Sequence, residues 1–337
     1  MKAIQKILLS GLTAFCLAVS PMIHAAEHEI KFSVLAPEGS TWVNIMKEMD
    51  KELQTASAGK LALKIYPGGV SGDEKDVIRK MRIGQVHAAG FTGVGLGDIV
   101  PAVRIMELPM LFKNYQEVDY VRSKIGKDFE AQFDQKGFVL LGWAEAGFVN
   151  IFSNKPIKNK ADMQGTKWWA WEGDPLVKTM YETLGIVPIP LALPDVLTSL
   201  QTKLIDAVYG PPLAVVALQW FTKTKYMTDL NLANSTGAMI MTKAEFAKLA
   251  PDLQNILRTT AAKYSTKLIQ AIRQDNAKSI ATLKTTGIQS VPVSPAELAE
   301  LQKASDEVRP KLVGKLYSQE LLTKVQAYID EYRKAHP

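Results

Sequence analysis

The sequence predicts an α/β protein of two lobes with a long helix bracing both, and three observations predict it. Strand-like and helix-like stretches alternate from Glu29 onward, the pattern of a parallel sheet with helices on its faces. The 337 residues suffice for two domains of ordinary size, and no low-complexity linker separates them, so the chain is expected to pass between lobes more than once. A helical pattern over residues 251–286 is far longer than the average helix of about 11–12 residues, long enough to reach across two lobes.

The N-terminus sets the compartment. Lys2 and Lys6 precede an apolar run over 7–19, and Ile23-His24-Ala25-Ala26 supplies small residues for cleavage, which together read as a secretory leader over 1–26. The run is shorter than the roughly 20 residues a spanning helix needs. Cys16 is the single cysteine and falls inside the leader behind the bulky Phe15, so the mature chain has no thiol for a disulfide, a metal or a nucleophile. The formal charge of +6 is spread without a basic run, and the leader removes two of the lysines; nucleic-acid binding has no support.

In order, 29–35 reads as a strand, followed by a helix capped at Ser40 or Thr41 with Val43, Met46, Met49 and Leu53 on one face. A strand at 61–66, a helix at 73–83 and a strand at 86–91 follow. Residues 101–112 are apolar and irregular, 115–133 are helical, and 137–145 form an apolar strand. A second set comprises strands at 148–152, 166–171, 187–190 and 205–209, with helices from Asp174-Pro175 to Leu184 and over 194–202. Helices dominate after Thr242. The expected division is 27–150 mainly in the first lobe, 151–240 mainly in the second, and 241–337 as helices that return to the first.

Ligands of open parallel sheets sit beyond the carboxyl ends of strands. Those ends carry Leu35 with Trp42 nearby, Phe91 and Thr92, Trp169 with Trp171 and Glu172, and Tyr209 with Gly210. Side chains alternate faces along a strand, so Trp169 and Trp171 share one face and Trp168 takes the other. The pair is assigned to a cleft, and Trp168 to the core. Mostly aromatic and neutral, the set describes a site for an apolar or aromatic small molecule.

Catalytic candidates are scarce. Of four histidines, His24 lies in the leader and His28 and His336 near the ends, which leaves His87 inside a strand with a structural role; one imidazole makes neither a metal site nor a triad. Glu145 and Glu172 are the best carboxylate pair for a secreted hydrolase, a reading that needs a defined separation between the two acids. Gly90, Gly93, Gly95 and Gly97 do not follow G-x-G-x-x-G and lack a following Gly-Lys-Ser/Thr, so they read as a flexible loop rather than a phosphate cradle. No enzyme, cofactor or metal is expected.

Several stretches resemble the solute-binding proteins of TRAP transporters, the DctP type: Gly59-Lys60 before the strand ending in Tyr66-Pro67, Ser71-Gly72-Asp73-Glu74, Leu108-Pro109-Met110-Leu111-Phe112, Ser153-Asn154-Lys155-Pro156-Ile157, Asp162-Met163-Gln164-Gly165-Thr166-Lys167, Leu200-Gln201-Thr202 with Asp206, and Lys225-Tyr226. The resemblance implies a two-lobed periplasmic receptor that closes on a small molecule and hands it to membrane-embedded permease subunits; it is expected to act as a monomer. The departures are specific. Where the family typically has arginines, this chain has Val149 and Trp169, and where an asparagine is common it has Gly210. Neither valine nor tryptophan can make the paired hydrogen bonds of a guanidinium to a carboxylate. Trp42, Phe91, Trp169, Trp171, Leu193 and Tyr209 are then expected to line the cleft, with Glu74 and Glu172 at polar family positions. The favoured ligand is aromatic or apolar. An ammonium group in an aromatic cage is the alternative within the binding class.

Overall fold

The computed structural model describes residues 26–336, so the predicted leader lies outside the described residues apart from Ala26. The first lobe begins with β1 (His28–Val34), α1 (Thr41–Ala56), β2 (Leu61–Tyr66), α2 (Glu74–Arg82), β3 (Ala88–Thr92), α3 (Gly93–Ile99) and α4 (Tyr115–Gln135). Ser40 caps α1 by accepting from the Val43 amide, and Asp73 with Asp76 forms a capping box at α2. Strands β2, β1 and β3 run parallel.

The chain then enters β4 (Phe138–Ser153), a single 16-residue strand. After α5 (Lys160–Met163) come β5 (Trp169–Trp171), α6 (Pro175–Leu184), β6 (Ile189–Leu191), α7 (Val196–Gln201), β7 (Ala207–Gly210), α8 (Pro212–Ala217) and β8 (Tyr226–Thr228). Strand β9 (Ala233–Thr242) leads back to the first lobe and into α9 (Lys243–Phe246) and α10 (Pro251–Thr285); β10 (Gln289–Val291), α11 (Pro295–Lys311) and α12 (Gln319–Ala335) complete the fold.

Two strands hold the lobes in one sheet. The stretch of β4 from Phe138 to Val149 pairs antiparallel with β9, which also pairs antiparallel with β3. Beyond it, Asn150–Ser153 pairs with β7, and Phe152 and Ser153 with β8. The sheet is therefore mixed rather than parallel, and the two strands expected at 137–145 and 148–152 are one. Residues 146 and 147 did not break the strand because a bulge between Glu145 and Gly147 absorbs them. Gly147 sits at φ +110°, and a Cβ there would collide with the Asn276 side chain on α10, so the bulge needs a residue without one.

Helix α10 braces both lobes through its buried face. Leu253, Leu257, Ala261, Leu268 and Ile272 belong to the first-lobe core with Phe32, Met46 and Leu61, while Leu283 packs in the second-lobe core with Phe152, Val208 and Trp220. Between them, the Asn276 carboxamide donates to the carbonyl of Ala146 and accepts from the amide of Leu213. One side chain thus ties α10 to β4 and to the start of α8.

Candidate functional site

Two adjoining cavities, of about 120 and 140 Å³, lie where the lobes meet. Leu35, Trp42, Glu74, Phe91, Thr92, Trp171 and Leu193 line the first. Thr92, Val149, Trp169, Trp171, Leu193, Tyr209 and Gly210 line the second. The structure thus brings together every residue proposed for the cleft except Glu172. Glu172 is exposed and lines neither cavity, because the chain turns outward at Gly173 before Asp174 caps α6.

The two tryptophans of β5 and Trp168 just before it separate as strand alternation requires. Trp168 packs against Tyr181 and donates from Nε1 to the Met163 carbonyl. Trp169 and Trp171 take the opposite face with ring centroids 5.9 Å apart; Trp169 stacks on Tyr209 at 4.7 Å and meets the edge of Trp220. One expectation needs correcting. Trp169 is only 1% exposed, as buried as Trp168, and it belongs to the second-lobe core as well as to the cavity wall. Its Nε1 donates to the Leu191 carbonyl, so the indole is fixed from behind.

The polar groups of the cleft come in a set that sequence reading missed. Arg104, in the 3₁₀ turn at Pro101–Glu107, reaches from the first lobe to Asp174 at the start of α6 in the second, with Nη2 2.9 Å from Oδ2 and Nε 3.0 Å from Oε2 of Glu107. All three are buried. Burial pushes the Glu107 carboxyl up to about 7 against the pull of Arg104, while its Oε1 accepts from the Thr236 amide. Burial likewise pushes Glu74 up to about 8, opposed by donors from the Thr92 amide and hydroxyl and the Gly95 amide. Among the described residues, Arg104 is the one cationic side chain lining either cavity.

The glycine series turns out to be packing space, not a flexible loop. A Cβ on Gly90 would run into the Trp42 indole, on Gly93 into Glu107, on Gly95 into Glu74 and on Gly97 into Arg104. Three of these glycines sit in α3, whose amino end is occupied by the Glu74 carboxylate. A phosphate has no free amides to find there. A sequence signal for the set did exist: Arg104 and Glu107 stand three residues apart within the otherwise apolar stretch from Pro101 to Phe112.

The hydrolase pair does not form. Glu145 is fully buried, gripped by Nε and Nη2 of Arg273 at 2.6 and 3.0 Å with Arg122 3.7 Å away, while Glu172 faces solvent. His87 accepts a hydrogen bond from the Lys31 amide, a structural use.

The profile of the bacterial extracellular solute-binding proteins, family 7 (DctP), matches residues 32–315. The chain belongs to this family. As a family 7 member it is a periplasmic solute receptor of the TRAP type, a binding protein rather than an enzyme, whose relatives bind small molecules and work with membrane TRAP permeases. It is 28% identical over 320 residues to a solute-binding protein of Roseobacter denitrificans, covering 92% of this chain and 97% of the relative. It is 24% identical over 285 residues to the 2,3-diketo-L-gulonate-binding periplasmic protein of Escherichia coli, covering 84% and 85%. A crystal structure of a TRAP periplasmic solute-binding protein from Roseobacter denitrificans with bound L-galactonate superposes with a TM-score of 0.82 at 25% identity, covering 90% of this chain and 99% of that one.

Proposed function

We propose that this TRAP receptor takes a small, uncharged ligand with a flat apolar or aromatic body, held between the lobes against Trp169, Trp171 and Tyr209. The observation that carries the reading is the state of Arg104. A carboxylate entering the cleft needs a cation whose charge is not already compensated, and Arg104 is bonded to Asp174 with Glu107 beside it. The walls supply the other half of the argument. Indole and phenol faces beside cavities of about 120 and 140 Å³ suit single rings, since a dry apolar cavity of roughly 150 Å³ holds benzene.

Two other readings have specific support. The relative with bound L-galactonate favours a sugar acid, with Arg104 as its anchor. The carboxyl groups of Glu74, Glu107 and Asp174 beside the aromatic walls supply acceptors, which favours an ammonium ligand in the aromatic cage. Thermal unfolding of the exported protein with indole, toluene, galactonate, succinate and benzylammonium separates the three, because a bound ligand stabilises by RT ln(1 + [L]/Kd). The neutral rings are expected to raise Tm and the acids to leave it unchanged. A rise with galactonate or succinate at sub-millimolar concentration overturns the proposal. The receptor is further proposed to act as a monomer, which the sedimentation mass of the purified protein checks.

A further inference from the structure

The carboxamide of Asn234 has a use that the aromatic walls do not explain. Asn234 lies near the start of β9, opposite Phe148 of β4, and is 1% exposed. Neither its Nδ2 nor its Oδ1 has a partner within the protein, although more than nine in ten buried polar groups ordinarily have one. It lines the second cavity together with Trp169, Tyr209 and Arg104. Two residues along β9, on the same face, the Thr236 hydroxyl also lacks a partner and lines the first cavity. A strip of β9 thus adds two unpartnered polar side chains to the cleft.

A carboxamide presents a donor and an acceptor side by side in one plane. The group that satisfies both at once presents an acceptor and a donor in the same plane, as a primary amide or a lactam edge does. An ionised carboxylate offers acceptors only and would set an anionic oxygen against Oδ1; an ammonium offers donors only and would face Nδ2. The Tyr209 hydroxyl adds to the match. It accepts from the Trp171 amide, so its proton remains free to donate, and burial beside Asp174 keeps the phenol neutral by raising its pKa. The stacked faces of Trp169 and Tyr209, 19° from parallel, belong to the same wall.

We propose that Asn234 reads a neutral amide or lactam edge on the ligand, so that the cleft selects planar carboxamide-bearing or lactam compounds over the matching acids and hydrocarbons. This rests on the uncharged-ligand reading above and names the polar group of that ligand.

The test is a titration of intrinsic tryptophan fluorescence in the exported protein with three probes of one ring each: benzamide, benzoate and toluene. Benzamide is expected to bind at least tenfold more tightly than the other two. In Asn234→Leu the advantage of benzamide over toluene is expected to vanish. Asn234→Ala removes the carboxamide with a smaller side chain and no new polar group, so it should also lose the benzamide advantage, which covers the case in which the leucine variant fails to fold. Equal binding of benzamide and toluene by the parent, or a benzamide advantage that survives both substitutions, overturns the amide reading and leaves the uncharged-ligand reading standing. Benzoate as the tightest probe overturns both. Silence with all three probes also counts against the amide edge.

Discussion

The indole Nε1 of Trp171 donates to Oδ2 of Asp73 at 2.8 Å, joining β5 of the second lobe to the cap of α2 in the first. Together with the Arg104–Asp174 pair it is a polar tie between the lobes. Closure of a two-lobed receptor is a shift between open and closed populations, and such ties weight the closed one. Trp171→Phe keeps an aromatic ring and removes the donor. It is expected to lose about 0.5–1.5 kcal/mol, the net value of one hydrogen bond, and to shift the unliganded protein toward the open form. Small-angle scattering checks this through a larger radius of gyration; an unchanged radius and Tm would show that the bond does not hold the lobes.

Trp168→Ala and Trp169→Ala are both expected to destabilise by about 3–5 kcal/mol, since each removes a fully buried indole and leaves a cavity. They should differ in ligand response. With Trp169→Ala the neutral-ring probes should lose their stacking wall and their effect on Tm, whereas Trp168→Ala, whose ring faces Tyr181 and Met163, should keep it. Denaturant unfolding with and without toluene measures both quantities. A Trp168 variant that loses toluene binding while the Trp169 variant retains it would invert the assignment of strand faces.

Glu107→Gln leaves Arg104 with a single carboxylate partner, Asp174. Above about pH 7, where Glu107 is ionised in the parent, the substitution removes its negative charge from beside Arg104 at a buried site. Succinate, expected to be silent with the parent, is expected to raise Tm of this variant at millimolar concentration. The two calorimetric scans, with and without succinate, decide it; a variant as indifferent as the parent would place the barrier to acids somewhere other than at Arg104.

Stability should fall as pH rises across the window set by Glu74. Its carboxyl is raised from the ordinary value of 4.5 to about 8 by burial, so between those values the folded protein holds a proton that the unfolded chain releases. The native state is therefore favoured at the lower end and loses that advantage as pH climbs toward about 8. Glu107, raised to about 7, acts with the same sign. In Glu74→Gln the decline of Tm from pH 5 to pH 8 is expected to be shallower. Parallel slopes in the two proteins would show that Glu74 is ionised throughout and that the donors from Thr92 and Gly95 outweigh its burial.

Much of the architecture was legible because periodicity reports burial. The run Val43, Met46, Met49 and Leu53 gave α1, and the alternating leucines of 61–66 gave β2, since each pattern is set by contact with a core. Strand β9 escaped because Ala-Asn-Ser-Thr-Gly carries no β-like pattern; what fixes it there is pairing with β3 and β4, both remote in sequence. The cleft divides in the same way. Indoles at or soon after a strand end announce themselves through residue type and position, so Trp42, Trp169 and Trp171 were named among the residues that line the cavities. Arg104, Glu107 and Asp174 become a unit only when a 3₁₀ turn of one lobe meets a helix cap of the other, and Asn234 matters only because nothing nearby satisfies it. Glu172 shows the opposite error. Next to Trp171 in sequence, it is carried outward by the turn at Gly173, and adjacency did not survive folding.

Arg104 has a chemical consequence in the currency of competition. Glu107 and Asp174 are tethered to the same chain as the guanidinium they hold, so they meet it at an effective concentration fixed by the fold rather than by the medium. An acid arriving from outside is a bimolecular challenger to that intramolecular pair, and it must expel a partner that never diffuses away. On the uncharged-ligand proposal, this competition rather than a steric gate is what would hold organic acids off.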